Sequence, residues 1–418
     1  MKKSILAAAA AAALAPLAAY ATTGYFSHGY GLKAKSMGGV GIALPQDALA
    51  AASNPAGMAW IGNRIDFGLD WFSPDRGSSV VGSPVPGFNG SYDGSGEKNY
   101  FIPEFGYNRM LSPSLSLGVS VFGNGGMNTT YDASPFAALG GSSPAGVDLM
   151  QLFIAPTVAW KTGNHAFGAS LNLAYQRFEA RGLEPFDNPG FSSSPGNVTN
   201  RGHDDATGLG VRIGWTGQIS PALTLGATYQ SKTRMSKFDK YSGLFADQGD
   251  FDIPENYGVG IALKTLPKLT IAADIQRINY GDIPAVGNPI DCLFAGACQL
   301  GAAGGAGFGW RNTTVYKIGL AYKLNPTLTL RGGFITLDQP IPQSQTLINI
   351  VAPGVVEEHL TLGATWQMAR GSELTVAYMH AFEKKVSGSG SIPGMLGGGE
   401  ANLRMDQNSL GIAYGWRY

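Results

Sequence analysis

The sequence predicts an all-β fold: a transmembrane antiparallel β-barrel of about fourteen strands, with an N-terminal plug in its lumen. Three observations predict it. From Arg64 onward, apolar and polar residues alternate with period two in one segment after another. The connections alternate between tight turns and loops of about 15 to 30 residues, the asymmetry of bacterial outer-membrane barrels. Charged residues make up 14% of the chain and glycines number 60, too little charge and about twice the glycine of an ordinary soluble domain.

At the start of the chain, Lys2 and Lys3 precede an apolar run from Ile5 to Ala19 and the A-x-A pattern Ala19-Tyr20-Ala21. These are the three parts of a secretory signal peptide, residues 1–21, cleaved after Ala21. An uncleaved anchor is the competing reading, but the run is Ala-rich and short of the ~20 residues that a bilayer span requires. Every other apolar stretch is cut sooner by a charge, Gly or Pro, so no other spanning helix is expected.

Residues 22–63 have a different texture. Gly38, Gly39, Gly41, Pro45 and Pro55 interrupt any helix or strand, which suits a compact irregular unit, the expected hatch. Its landmark is Ser53-Asn54-Pro55-Ala56-Gly57-Met58. An Asn-Pro pair favours a turn, and Asn54 is expected to tie the hatch to the wall; direct ligand contact is the alternative.

The barrel then occupies residues 64–418. Ile65, Phe67, Leu69 and Trp71 share one face of strand one, with Asp66, Gly68 and Asp70 on the other. Strand two covers about 99–111. Strand three starts at Leu115, strand four covers about 148–161 and strand five about 165–178. Strand six sets Leu209, Val211, Ile213 and Trp215 against Gly210, Arg212, Gly214 and Thr216, polar enough to face water. The scheme repeats around Leu223, Val259, Leu269, Tyr316, 327–337, Leu360 and Leu374, and the last strand ends in Leu410, Ile412, Tyr414, Trp416 and Tyr418. Fourteen is even, as a closed bacterial barrel requires. Trp160, Trp215, Tyr322, Trp366 and Trp416 lie on the apolar face near short turns or the chain end, at the depth of an aromatic girdle. A soluble sandwich would use such faces as a core, but the opposite faces here are Gly, Ser, Thr and Ala. Cys292 and Cys298 sit close together in a Gly/Ala-rich loop, and in an exported chain they most simply form one disulfide; free thiols are the alternative.

At Thr22-Thr23-Gly24-Tyr25-Phe26, Lys35-Ser36-Met37-Gly38-Gly39-Val40-Gly41, Asp47-Ala48 and above all Asn54-Pro55-Ala56-Gly57-Met58, the chain resembles the FadL family of outer-membrane channels. The resemblance covers the whole mature chain in layout. The Asn-Pro-Ala motif in this position is fairly specific, whereas the barrel pattern is shared with many unrelated channels.

The resemblance implies passive uptake of a hydrophobic small molecule, a long-chain fatty acid or an aromatic hydrocarbon. Such a ligand would land between extracellular loops, pass to a luminal pocket and leave sideways at an inward kink in strand three while the hatch blocks the axis. Gly123-Asn124-Gly125-Gly126 is the candidate kink, since glycine inside a strand marks a bulge or bend; the start of a loop is the alternative. Pro103 and Pro156 remove ladder donors from the neighbouring strands. Phe186 and Phe191 in one long loop, and Phe238, Tyr241, Leu244, Phe245 and Phe251 in the next, are expected to be exposed and to line a capture groove. Tyr25 and Phe26 belong to the end that, in the family, reaches the inner pocket. The expected surroundings are outer-membrane lipid and lipopolysaccharide, and the expected state is a monomer. No cofactor, metal or catalytic residue is expected.

Two rivals come from other classes. A barrel hydrolase would need a Ser/His arrangement, yet no serine has the G-x-S-x-G context and, of five histidines, His359 alone holds a clear inward strand position. A hydrophilic porin would keep an open lumen, which a plug occludes. A net charge of zero gives no support to a nucleic-acid partner.

Overall fold

Alternation with period two makes a strand with two unlike faces, and a run of such strands has no free edge only if the last pairs with the first. The computed structural model, which describes residues 23–418, has this closure. The signal-peptide expectation and Thr22 lie outside the described residues. Fourteen strands form the wall: β1 (Arg64–Val81), β2 (Tyr100–Met110), β3 (Leu115–Asn128), β4 (Gly146–Thr162), β5 (His165–Arg181), β6 (Asp204–Gln218) and β7 (Leu223–Gln230). They continue as β8 (Asn256–Leu266), β9 (Leu269–Ile278), β10 (Thr313–Lys323), β11 (Leu328–Leu337), β12 (Glu358–Gln367), β13 (Ser372–Val386) and β14 (Glu400–Arg417). Each pairs antiparallel with its sequence neighbours, and β14 closes on β1 from Arg64↔Arg417 to Val81↔Glu400. Two short segments, Gly90–Asp93 and Arg234–Met235, add to β1 and β6 at the long-loop end.

The faces sort inversely to a soluble protein. Phe67, Leu69 and Trp71 on β1, Leu209, Val211 and Ile213 on β6, and Leu410, Ile412, Tyr414 and Trp416 on β14 are exposed, while Asp66, Asp70, Asn108, Ser120, Asn172 and Arg212 are buried. That is the pattern of a wall with lipid outside and polar groups inside. Trp160 pairs with Phe167, and Phe167 with Trp215, so these rings lie in one row across β4, β5 and β6.

Residues 23–63 lie against the inward faces. Their backbone donors meet wall side chains: Glu104 accepts from the N–H groups of Gly31 (3.2 Å) and Leu32 (3.0 Å), Asp274 from Gly41 (2.8 Å) and Ile42 (3.1 Å), and Asp66 from Ala48 (2.8 Å). The segment's short turns satisfy part of its backbone, and these carboxylates accept from N–H groups that the turns leave over. Asn54 caps the 3₁₀ turn Pro55–Ala59 through its Oδ1, which accepts from the Ala56 N–H. Its Nδ2 donates to the carbonyls of Ile42 (2.7 Å), Trp215 (2.9 Å) and Ala227 (3.3 Å), joining this segment to paired residues of β6 and β7.

Such close docking requires a wall without side chains at the contact. A Cβ on inward-facing Gly106, Gly214, Gly226, Gly319, Gly333 or Gly363 would collide with atoms of the 23–63 segment. Gly319 and Gly333 are cross-strand partners on β10 and β11; both press on the backbone of Met37, and Gly333 also on Gly38. Gly333→Val is therefore expected to leave a heat-resistant barrel band on a gel while exposing the 23–63 segment to protease. Retained protection of that segment would contradict the fit described.

Candidate functional site

Strands β2 and β3 pair only from Met110↔Ser116 to Phe105↔Val121, although β2 continues to Tyr100 and β3 to Asn128. Above Val121, β3 keeps its ladder with β4 but slips register between Gly123 and Gly125. The Gly123–Gly126 stretch is thus within a continuous strand, bulged and detached from β2. Its free edge pairs with the N-terminal segment instead: Phe26 bridges Gly125, the Gly126 N–H donates to Tyr25 O at 2.8 Å, and the Ser27 N–H donates to Asn124 O at 3.0 Å. A Cβ on Gly125 would collide with the Tyr25 carbonyl oxygen, so glycine is required for this approach. Pro156, on β4, sits where the β4–β5 ladder skips two residues, between Ile154↔Leu173 and Thr157↔Ser170.

Behind the seam lies an aromatic interior. Tyr25 packs against Phe26 (5.5 Å between ring centres), Tyr280 (4.9 Å), Trp310 (5.8 Å) and Phe251 (6.0 Å). Phe251 packs on Phe245 (4.7 Å), Phe245 packs in turn on Phe178 (4.7 Å), and Tyr30 meets Phe122 at 4.8 Å. The expected exposure of the loop aromatics is corrected here. Phe186, Phe238, Tyr241, Leu244, Phe245 and Phe251 are all buried and Phe191 is half-buried. Water disfavours such rings, and the long loops fold inward so that the rings cover one another. Tyr280 and Trp310 escaped the sequence reading because each stands alone in a Gly/Ala-rich loop without periodic context. Cys292 and Cys298 are joined as a disulfide in that same loop.

A charged layer lies on the other side of the same segment. Lys33 pairs with Glu373 on β13, and Lys35 Nζ reaches Asp70 at 2.9 Å and Glu104 at 3.7 Å. Arg64 joins Asp66 (2.5 Å) and Glu373 (2.6 Å). Sequence reading passed over these residues, though the signal was present: in a chain so poor in charge, Asp66, Asp70 and Glu104 stand at inward positions. Burial alone would lower the Lys35 ammonium's pKa, but the Asp70 and Glu104 carboxylates more than restore it. Burial pushes the Asp47 carboxyl up to about 7, and Asp66 adds to the rise against the opposing pull of Lys33 and Arg64.

Because Asp47 holds its proton in the folded chain up to about 7 but loses it near 3.8 when unfolded, stability falls as pH rises between those values. Asp47→Asn is expected to flatten that slope and to raise the thermal unfolding temperature in detergent at pH 8. An unchanged slope between pH 4 and 7 would show that another group sets it.

The geometry therefore presents a closed wall, a segment lying in its interior, a buried aromatic cluster at the long-loop end and a seam where the β2–β3 ladder stops and the N-terminal segment pairs with β3 instead. Comparison with known proteins agrees with this layout. The family model described as outer membrane protein transport protein (OMPP1/FadL/TodX) matches residues 10–418. The P. putida toluene transporter TodX superposes with a TM-score of 0.67 at 21% identity, covering 94% of this chain and 99% of that chain. A Pseudomonas aeruginosa FadL homologue gives 0.70 at 17% identity, and the Ralstonia pickettii toluene transporter TbuX 0.64 at 20%, each with 94% and 99% covered. At these identities the structural likeness establishes the fold alone, and no curated protein matches the sequence. The family model spans the wall, the aromatic cluster and nearly all of the chain, and the chain belongs to the outer-membrane transport protein family of FadL and TodX.

Proposed function

We propose that the protein is a channel for passive uptake of hydrophobic small molecules across the bacterial outer membrane. The ligand enters among the long loops, is held in the chamber around Tyr25, Phe26, Phe245 and Phe251, and leaves through the β2–β3 seam into the bilayer. Residues 22–63 act as the hatch that closes the axial route. The observation that carries this reading is the ladder that stops at Phe105↔Val121 while both strands continue. There the edge of β3 is held by the N-terminal segment and not by β2, so a movable segment and not a neighbouring strand covers the wall at this point.

Physics favours sideways release for an apolar cargo. Each buried methylene is worth about 0.8 kcal/mol, so a path from chamber to bilayer core keeps that surface out of water, whereas an axial exit would return it to the periplasm. Loop aromatics packed over the chamber suit a lid that opens to admit cargo, and the toluene transporters TodX and TbuX share the fold. Binding and release require no covalent step.

Filling the bulge by Gly125→Val with Gly126→Val should abolish uptake of a labelled hydrophobic probe in whole cells while the barrel still runs as a heat-resistant band; normal uptake would refute lateral release. Removal of residues 23–63 should raise the ion conductance of single channels in planar bilayers well above that of the intact protein. A large conductance in the intact protein would favour a hydrophilic pore instead.

A further inference from the structure

Next to the seam, the interior beside the aromatic cluster contains a polar feature that an uptake route for bare hydrocarbon does not need. Tyr30 Oη donates to Asn124 Oδ1 at 3.1 Å, and Asn124 Nδ2 donates to Gln151 Oε1 at 2.9 Å. Gln151 on β4 faces Gln176 on β5 as its register partner. All four side chains are buried, and they lead from the β3 bulge inward. At the end of this chain, Gln176 is fully buried and neither its carbonyl oxygen nor its amide nitrogen is hydrogen-bonded.

A buried amide with no protein partner at either end is costly unless a water or a bound molecule serves it. The inward neighbours of Gln176 by register and along its strand are Gln151, Ala206, Ala174 and Phe178, none of them charged. Phe178 in turn contacts Phe245 and Tyr241 at 4.7 and 4.8 Å between ring centres. An isolated carboxylate would be disfavoured in such a place, whereas a neutral group that donates and accepts would satisfy both ends of the amide.

Resting on the uptake reading above, we propose that Gln176, oriented by Gln151 and Asn124, recognises a single uncharged hydrogen-bonding group on an otherwise hydrophobic substrate, of the class of alcohols and primary or secondary amides. The aromatic rings would hold the apolar body, and the amide would select against both a bare hydrocarbon and a carboxylate. A site built to hydrogen-bond a ligand rejects the analogue lacking that group far more strongly than an apolar pocket discriminates size.

The test is calorimetric titration of the full-length protein in detergent with ethylbenzene, 1-phenylethanol and phenylacetate, which have similar bodies and differ in the polar group. The expected result is 1-phenylethanol binding at least about tenfold tighter than either of the others, with the advantage over ethylbenzene lost in Gln176→Leu. Equal affinities for ethylbenzene and 1-phenylethanol, tightest binding of phenylacetate, or a preference that survives in Gln176→Leu would each overturn the proposal. The ligand comparison on the unaltered protein decides the matter even if the variant fails to fold. Binding of ethylbenzene without any preference would leave hydrophobic uptake standing and remove only the role of Gln176, whereas failure of all three to bind would remove both.

Discussion

The structure depends on backbone-to-wall contact between residues 23–63 and the inside of the barrel. That contact requires the wall to give up side chains where the segment lies, which Gly106, Gly214, Gly226, Gly319, Gly333 and Gly363 do. It also requires partners for amides that no helix or strand satisfies, which Glu104, Asp274 and Asp66 supply. Glycines alone would leave unpaired donors, and carboxylates alone would hold the segment too far from the wall. The two together let an irregular chain occupy the lumen.

The same economy explains the division of the interior into two zones. Lys33, Lys35 and Arg64 are matched by carboxylates on β1, β2 and β13, so charge is paired where the segment meets the wall. At the long-loop end the segment's leading residues, Tyr25 and Phe26, are apolar and meet rings from distant loops. Removing one partner of a buried ion pair leaves an uncompensated charge. The charged zone thus anchors the middle of the segment, while its leading residues are held by ring packing and by backbone bonds to the β3 bulge.

Much of this was legible in the sequence, for identifiable reasons. The strands were readable because alternation repeats along each of them, as with Leu209 to Trp215 against Gly210 to Thr216. Asn54 was readable because an Asn-Pro pair favours a turn, and its bonds to Ile42, Trp215 and Ala227 suit a polar group placed inside a barrel. Three things were not readable. The burial of Phe186, Phe245 and Phe251 depends on how long loops fold over one another, and loops have no period. The charged layer depends on pairing Lys33 with Glu373 across 340 residues of sequence, which alternation cannot register. The termination of the β2–β3 ladder depends on relative strand heights, so from the sequence Gly123 to Gly126 reads as a kink with the beginning of a loop as the alternative.

The height of that seam sets where cargo would be delivered. On β1 the outward residues Phe67, Leu69 and Trp71 are apolar, and the next ones, Ser73 and Asp75, are polar. The part of β2 that β3 does not pair, Tyr100 to Glu104, lies beside Gly68 to Phe72, with Trp71 opposite Phe101. The stop in the ladder thus stands at the upper margin of the apolar belt. Under the sideways release proposed above, a molecule stepping out there would enter the hydrocarbon near that margin, and crossing to the other leaflet would be left to its own solubility in hydrocarbon. A cargo with one neutral polar group could make that last crossing unaided; one with a fixed charge could not.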